Sequence, residues 1–185
     1  MRAFVDLLLA GEFESISVAT IVARADVGRS TFYTHFRSRE DILKASLTFP
    51  STPLASIVAQ RVDADSLLPL LAHFRAQQRL ARGFAGGSLR RLWVHRLAEL
   101  VEPALARLAR RVHGRPVLPL SLASLAVAEL QIGLVVHWLA SHEPAQPEVV
   151  AEALIAATRA AVAALLRCDV TTLDAGLGGP AHVRP

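Results

Sequence analysis

The stretch DVGRSTFYTHFRSRE, residues Asp26–Glu40, decides how this chain is read. Phe32 and Tyr33 stand side by side among Thr31, Thr34 and His35, with Arg29, Arg37 and Arg39 around them, and no acid falls between Asp26 and Glu40. Just upstream, Ser17 is placed to cap a helix through about Ala25, with Val18, Ile21 and Val22 on one face. Asp26-Val27-Gly28 then makes a three-residue turn, and Gly28 starts a second short helix to about Phe36. Two short helices joined in this way match a helix-turn-helix. Val18, Ile21, Val22, Val27 and Phe32 can hold the pair together, leaving Arg29, Ser30, Thr31, Tyr33 and Thr34 outward. Such a helix can enter a major groove, N-terminal residues toward base edges and flanks on phosphates. The plainer alternative is a three-helix packing unit with a solvated polar face.

Outward from this core the chain reads as helix throughout, an all-α fold. Arg2 to about Ala10 is a short apolar helix stopped by Gly11. Ser38, with Asp41 three residues on, resembles a capping box and predicts a helix to about Phe49. Pro50 and Pro53 are expected to interrupt there, which divides the chain into a DNA-binding domain over 1–48 and a second helical domain over 49–168. In the second domain a helix is expected from Asp65 or Ser66 to about Phe84. A longer one follows, with Leu89, Leu92, Trp93, Leu97, Leu100, Val101, Leu105, Leu108 and Val112 at three- and four-residue steps. Two more run from about Leu120 to Ser141 and from about Pro147 to Arg167. Residues 169–185 have little to bury and are expected to form a mobile tail.

Composition agrees with helices. Hydrophobic residues make up 52% of the 185 and aromatics only 5%, so the core must be Leu, Ala and Val. A single cysteine, Cys168, leaves no intramolecular disulfide and suits a reducing cytoplasm. No small-residue cleavage pattern follows the first apolar run, so no signal peptide is read there. The apolar stretch from Leu118 to Ala140 contains Pro119, Glu129, Gln131 and His137, which fits a buried or interface helix better than a membrane span. The net charge of +4 is not made at the opening motif: residues 75–115 carry ten arginines against Glu99 and Glu102.

Residues 16–43, ISVATIVARADVGRSTFYTHFRSREDIL, resemble the DNA-binding domain of TetR-type (tetracycline-repressor-like) transcriptional regulators. The likeness rests on Ala23 and Ala25, the Asp26-Val27-Gly28 turn, the Thr31–Phe36 run and Ser38-Arg39-Glu40. It implies a regulator that binds palindromic double-stranded DNA as a homodimer, a ligand-responsive repressor rather than an enzyme. By position, Ser17 and Thr20 would meet phosphates; Arg29, Ser30, Thr31 and Thr34 would face the groove; Tyr33 and His35 would grip phosphates. Arg39 would take a phosphate contact usually made by lysine, and Phe32 and Phe36 would be core. The sequence departs from the family at Gly28, where a capping Ser is common, and at Asp26, where the turn usually has Gly. The resemblance also implies a longer first helix with a basic arm, so either the start at Met1 is misassigned or DNA is bound without that arm.

Other function classes find little support. His95 and His113 are isolated and His137 and His142 are five apart, so no metal site or cofactor is expected. Cys168 has no partner thiol, GFAGGS lacks the lysine of a phosphate loop, and no catalytic triad order is visible. The helices over 66–141 are expected to enclose an apolar effector pocket walled by Leu70, Leu71, Phe74, Phe84, Trp93, Leu97, Val101, Leu125 and Ile132. An anionic effector would follow if Arg75, Arg79 or Arg96 turned toward its mouth. Leu130, Leu134, Val135, Trp138, Leu154, Val162 and Leu165 are expected to form the apolar stripes of a homodimer. The competing reading is a regulator without a small ligand, controlled by a protein partner.

Overall fold

Apolar side chains at three- and four-residue spacing fold here only as helices: no strand occurs among the residues that the computed structural model describes, 1–10, 13–76, 87–143 and 145–178. The order is α1 (Arg2–Ala10), a 3-10 turn (Phe13–Ser15), α2 (Val18–Ala25), α3 (Arg29–His35) and α4 (Arg39–Ala59). A second 3-10 turn (Asp65–Leu67) leads into α5 (Leu68–Ala76), followed by α6 (Gly87–Arg111), α7 (Leu120–Ala140), α8 (Pro147–Leu166) and α9 (Val170–Leu177).

The short helices depend on their ends, because each has few internal bonds. Ser17 is extended, and its Oγ accepts the Thr20 N–H at 3.1 Å, capping α2 as the sequence predicts. Asp26 closes α2 in the left-handed region at φ 52°, ψ 51°, and the Val27 N–H returns to the Val22 carbonyl at 3.1 Å. Ser38 caps α4 by accepting the Asp41 N–H at 3.3 Å, while Asp41 Oδ2 accepts the Arg37 N–H at 3.0 Å. This is close to a capping box, with the return bond one residue early.

Two expectations fail. The helix after Ser38 does not end near Phe49 but runs through Pro50 and Pro53 to Ala59. Interior proline costs about 3 kcal/mol, yet Leu47, Leu54, Ile57 and Val58 are all buried along α4, which packs most extensively on α6. Burial of several such side chains at about 1.5–3 kcal/mol each outweighs the prolines. The tail is also not wholly loose: α9 buries Leu173 and Leu177 against α6 and α8. It approaches so closely that a Cβ on Gly176 would lie 2.4 Å from Val112 Cγ1. Arg159 of α8 holds it further through an ion pair to Asp174 at 3.4 Å.

In the core α6 lies between α4 and α7, and α8 packs on α7, α4 and α5. One polar tie crosses it: Gln131 of α7 donates through Nε2 to the Leu54 carbonyl of α4 and to Thr158 Oγ1 of α8, both at 3.1 Å. By length and composition α4, α7 and α8 could each cross a membrane, but each has 44% of its apolar window buried inside this fold.

Candidate nucleic-acid interface and a cavity beneath it

Ile21, Val22 and Phe32 are buried and join α2 to α3, as the alternation of apolar and polar positions requires. Val27 does not take part and stands 43% exposed, because the left-handed turn at Asp26 swings it outward. Phe36 is partly buried, its ring 5.6 Å from that of Phe32. With the apolar side committed inward, Ser17, Thr20, Gly28, Arg29, Ser30, Thr31, Tyr33, Thr34 and His35 are all exposed. They form one face of short hydroxyls and cations. Thr34 Oγ1 donates to the Ser30 carbonyl at 3.0 Å and Ser17 Oγ shares a 2.8 Å bond with Thr20 Oγ1, so both hydroxyls are already oriented. Gly28 caps α3 without a side-chain bond and is not in the left-handed region (φ −72°), so glycine is not required there.

Arg39 is the exception. Its Nη1 donates to the carbonyls of Phe13, Glu14 and Ile16, its Nε pairs with Glu40 at 2.8 Å, and its guanidinium covers the Phe13 ring. Those contacts engage its Nε and Nη1 inside the protein, pinning the segment before α2 to the start of α4. Arg37, two residues earlier, is exposed. The bond from Arg39, with another from Ser38, holds the Glu40 carboxyl below its ordinary range.

A cavity of about 310 Å³ lies between α1, α4 and the helices of the second domain. Met1, and Val5 and Leu8 of α1, form one wall; Ser46, Leu47, Phe49 and Pro50 of α4 form the next. His73 and Phe74 of α5, Trp93 of α6, and Val136 and Leu139 of α7 complete the lining. Of the walls expected from sequence, Phe74 and Trp93 are found. Leu70, Leu71, Leu97, Val101 and Ile132 are instead packed in the core, Leu125 is partly buried against it, and Phe84 lies outside the described residues. The α1 wall carried no sequence signal, since nothing local says which helix a short apolar face will meet. Among the described residues no arginine lines the cavity. Arg75 is exposed, Arg96 bonds to Thr48 and Glu99, and Arg79 lies outside the described residues.

The expected dimer stripes divide likewise. Val135, Trp138, Leu154 and Val162 are buried within the single chain, whereas Leu130, Leu134 and Leu165 are only partly covered. Among the described residues no group of three His, Cys, Asp or Glu side chains converges to hold a metal ion. Burial, then the Asp169 charge, push the Cys168 thiol up, away from the reactive thiolate.

Residues 2–46 match the family described as bacterial regulatory proteins, tetR family. Similar solved structures include a TetR transcriptional regulator from Streptococcus agalactiae 2603V, 22% identical with a TM-score of 0.54 over 85% of this chain and 89% of that one. The fatty acid degradation regulator FadR from Bacillus halodurans is 16% identical with a TM-score of 0.53 over 85% and 94%. FadR from Bacillus subtilis, solved in complex with stearoyl-CoA, is 16% identical with a TM-score of 0.50, again over 85% and 94%. No curated protein matches the sequence. Residues 2–46 thus carry the N-terminal DNA-binding domain of the tetR family, and a helical domain follows it in a fold similar to that of solved TetR-type regulators.

Proposed function

We propose that this protein is a ligand-responsive repressor of the cytoplasm, binding a pseudo-palindromic operator as a two-fold homodimer. The observation that carries the ligand response is the cavity shared by α1 and the helices of the second domain. A molecule entering it touches α1 and α4 together, and α1 packs on α2 of the helix-turn-helix. Filling the cavity therefore biases the orientation of α3, and a differential affinity for two orientations is what a ligand needs to shift a population. The division near residue 48 separates functions and not rigid bodies, since α4 serves both.

In the complex, Arg29, Ser30, Thr31 and Thr34 face the groove, while Ser17, Thr20, Tyr33, His35 and the backbone at Gly28 meet phosphates. Arg37, exposed two residues before the internally bonded Arg39, takes a phosphate contact. Dimerisation uses what α7 and α8 leave uncovered. Leu122 is 50% and Val149 56% exposed, and Ala153, Ala156, Ala160 and Ala164 continue the α8 face in small steps. A Cβ on Gly133 would meet nothing within 4 Å, so α7 offers a backbone open to close approach. Leu130, Leu134 and Leu165 flank these positions.

The test joins light scattering to fluorescence anisotropy on DNA flanking the gene. A dimer that binds a pseudo-palindrome there, and lets go when a small molecule from an uncharged apolar panel is added, is the expected result. A micromolar monomer would overturn the dimer; DNA binding insensitive to every small molecule would favour control by a protein partner.

A further inference from the structure

We infer that Arg96 of α6 is a positioning residue for DNA binding: through its bond to Thr48 it fixes the direction of α4, and with it the separation of the two recognition helices that a dimer presents. This rests on the homodimer reading above. The helix α4 links α1–α3 to the core. Its first turn follows α3 after three residues, and Arg39 in that turn bonds to the Phe13, Glu14 and Ile16 carbonyls, so the recognition unit moves with it. Farther along, α4 packs most extensively on α6. Two polar contacts join them there. Arg96 Nη2 and Nε donate to Thr48 Oγ1 at 3.2 and 3.4 Å, and Trp93 Nε1 donates to Ser51 Oγ at 3.2 Å. The donors are three residues apart on α6 and the acceptors three apart on α4, so each pair shares a helix face.

The two contacts bracket a weak point of α4. Pro50 lies between Thr48 and Ser51, and without an N–H it cannot bond to the Ser46 carbonyl, as Pro53 cannot bond to that of Phe49. A helix missing such bonds bends there more readily than elsewhere. Trp93 and Ser51 are buried and hold the side toward the core, whereas Arg96 and Thr48 hold the side that carries the recognition unit. Both members of the second pair are themselves held. Thr48 Oγ1 donates to the Lys44 carbonyl at 3.1 Å, and Arg96 Nη1 pairs with Glu99 at 2.9 Å. The lever is long. Eleven residues of helix from Pro50 back to Arg39 span roughly 16 Å, so a swing of about 10° displaces Arg39 by about 3 Å. That is close to the rise of one base pair, about 3.4 Å. A bond at Thr48 therefore decides whether the dimer is tuned to one half-site spacing or tolerates its neighbours.

The experiment selects a pseudo-palindrome from random duplex DNA with the full chain. It then measures affinity for that site, for the same site with one base pair inserted at its centre, and for a single half-site. Wild-type protein should lose at least about tenfold on the insertion, because half-site spacing is a geometric match. Arg96→Met keeps the aliphatic stem without the donors, and Thr48→Val keeps the shape without the acceptor. Each should lose no more than about threefold on the insertion, the restraint of the bond being gone, and should bind the half-site as wild type does. Thr48→Ser retains the hydroxyl and should keep wild-type discrimination. Sharp discrimination in both Arg96→Met and Thr48→Val would overturn the inference, as would an equal loss on all three DNAs, the mark of a purely structural role. Wild-type tolerance of the insertion, with the palindrome preferred over the half-site, would overturn it and leave the dimer standing. A half-site bound as tightly as the palindrome would remove the dimer reading and this inference together.

Discussion

The Arg39 guanidinium lies 4.8 Å above the centroid of the Phe13 ring, with its Nη1 3.3, 2.9 and 3.0 Å from the carbonyl oxygens of Phe13, Glu14 and Ile16. A cation that the motif alone assigns to DNA is thus an internal clamp. It bonds to the Glu14 and Ile16 carbonyls and adds a second donor to the Phe13 carbonyl, which already accepts the Ile16 N–H at 3.0 Å.

Replacing that clamp should read out as stability. Hydrogen bonds to charged groups contribute about 1.5–3 kcal/mol, so Arg39→Ala should destabilise the fold by about that much in urea titration. Arg39→Lys should recover little, because an ammonium lacks the planar fork that bonds and stacks together. Arg37→Ala should leave the melt unchanged and lower the salt slope of DNA binding by about one. A reduced salt slope in Arg39→Ala with normal stability would return the phosphate role to Arg39.

Reading and gripping should separate on α3. Arg29→Ala or Thr31→Ala is expected to change base preference by about 1–3 kcal/mol at one position of the operator. Tyr33→Phe removes a hydroxyl and should weaken all sequences alike. Affinity measured across a library of operator variants checks both, and an unchanged preference in Arg29→Ala would reject its reading role.

At Asp26 the backbone stands at φ 52°, which disfavours most L-residues by about 1–2 kcal/mol and glycine hardly at all. Asp26→Gly should therefore stabilise the protein by up to about 1 kcal/mol and also tighten DNA binding by removing a negative charge beside the helix-turn-helix. Asp26→Ala should move stability the other way. Chemical denaturation of the two variants is the measurement.

Docking of α9 should depend on pH. Asp169 accepts the Thr172 N–H at 2.6 Å and its hydroxyl at 2.9 Å, and these bonds hold the carboxyl below its ordinary value of 3.8. A carboxyl depressed in the folded state stabilises fully above that ordinary value, and the contribution is lost as pH falls through it toward the lower folded value. Hydrogen-exchange protection at Leu173 and Leu177, taken relative to the intrinsic rate at each pH, should accordingly fall below about pH 4. Asp169→Asn caps nearly as well without titrating, so its protection should be flat over the same range.

Much of the N-terminal domain was legible because its determinants are local. Ser17, the turn at Asp26–Gly28 and the Ser38–Asp41 pair act within a few residues of themselves, so α2 and α3 begin and end, and α4 begins, close to where the sequence places them. The exposure of Arg29, Thr31 and Tyr33 follows from the same periodicity that buries Phe32.

Long-range contacts decided the rest. The two prolines of α4 read locally as a stop, but burial of Leu54, Ile57 and Val58 against α6 carries the helix past them. Residues after Cys168 read as a loose tail, but Leu173 and Leu177 find a groove between α6 and α8 that no local pattern announces. Val135 and Trp138 look available for a second subunit until α7 meets its own neighbours, and Arg39 looks available for phosphate until the turn at Phe13 folds beneath it. Periodicity states which side of a helix must be covered. What covers it depends on how distant segments close around one core, and that is a property of the tertiary fold alone.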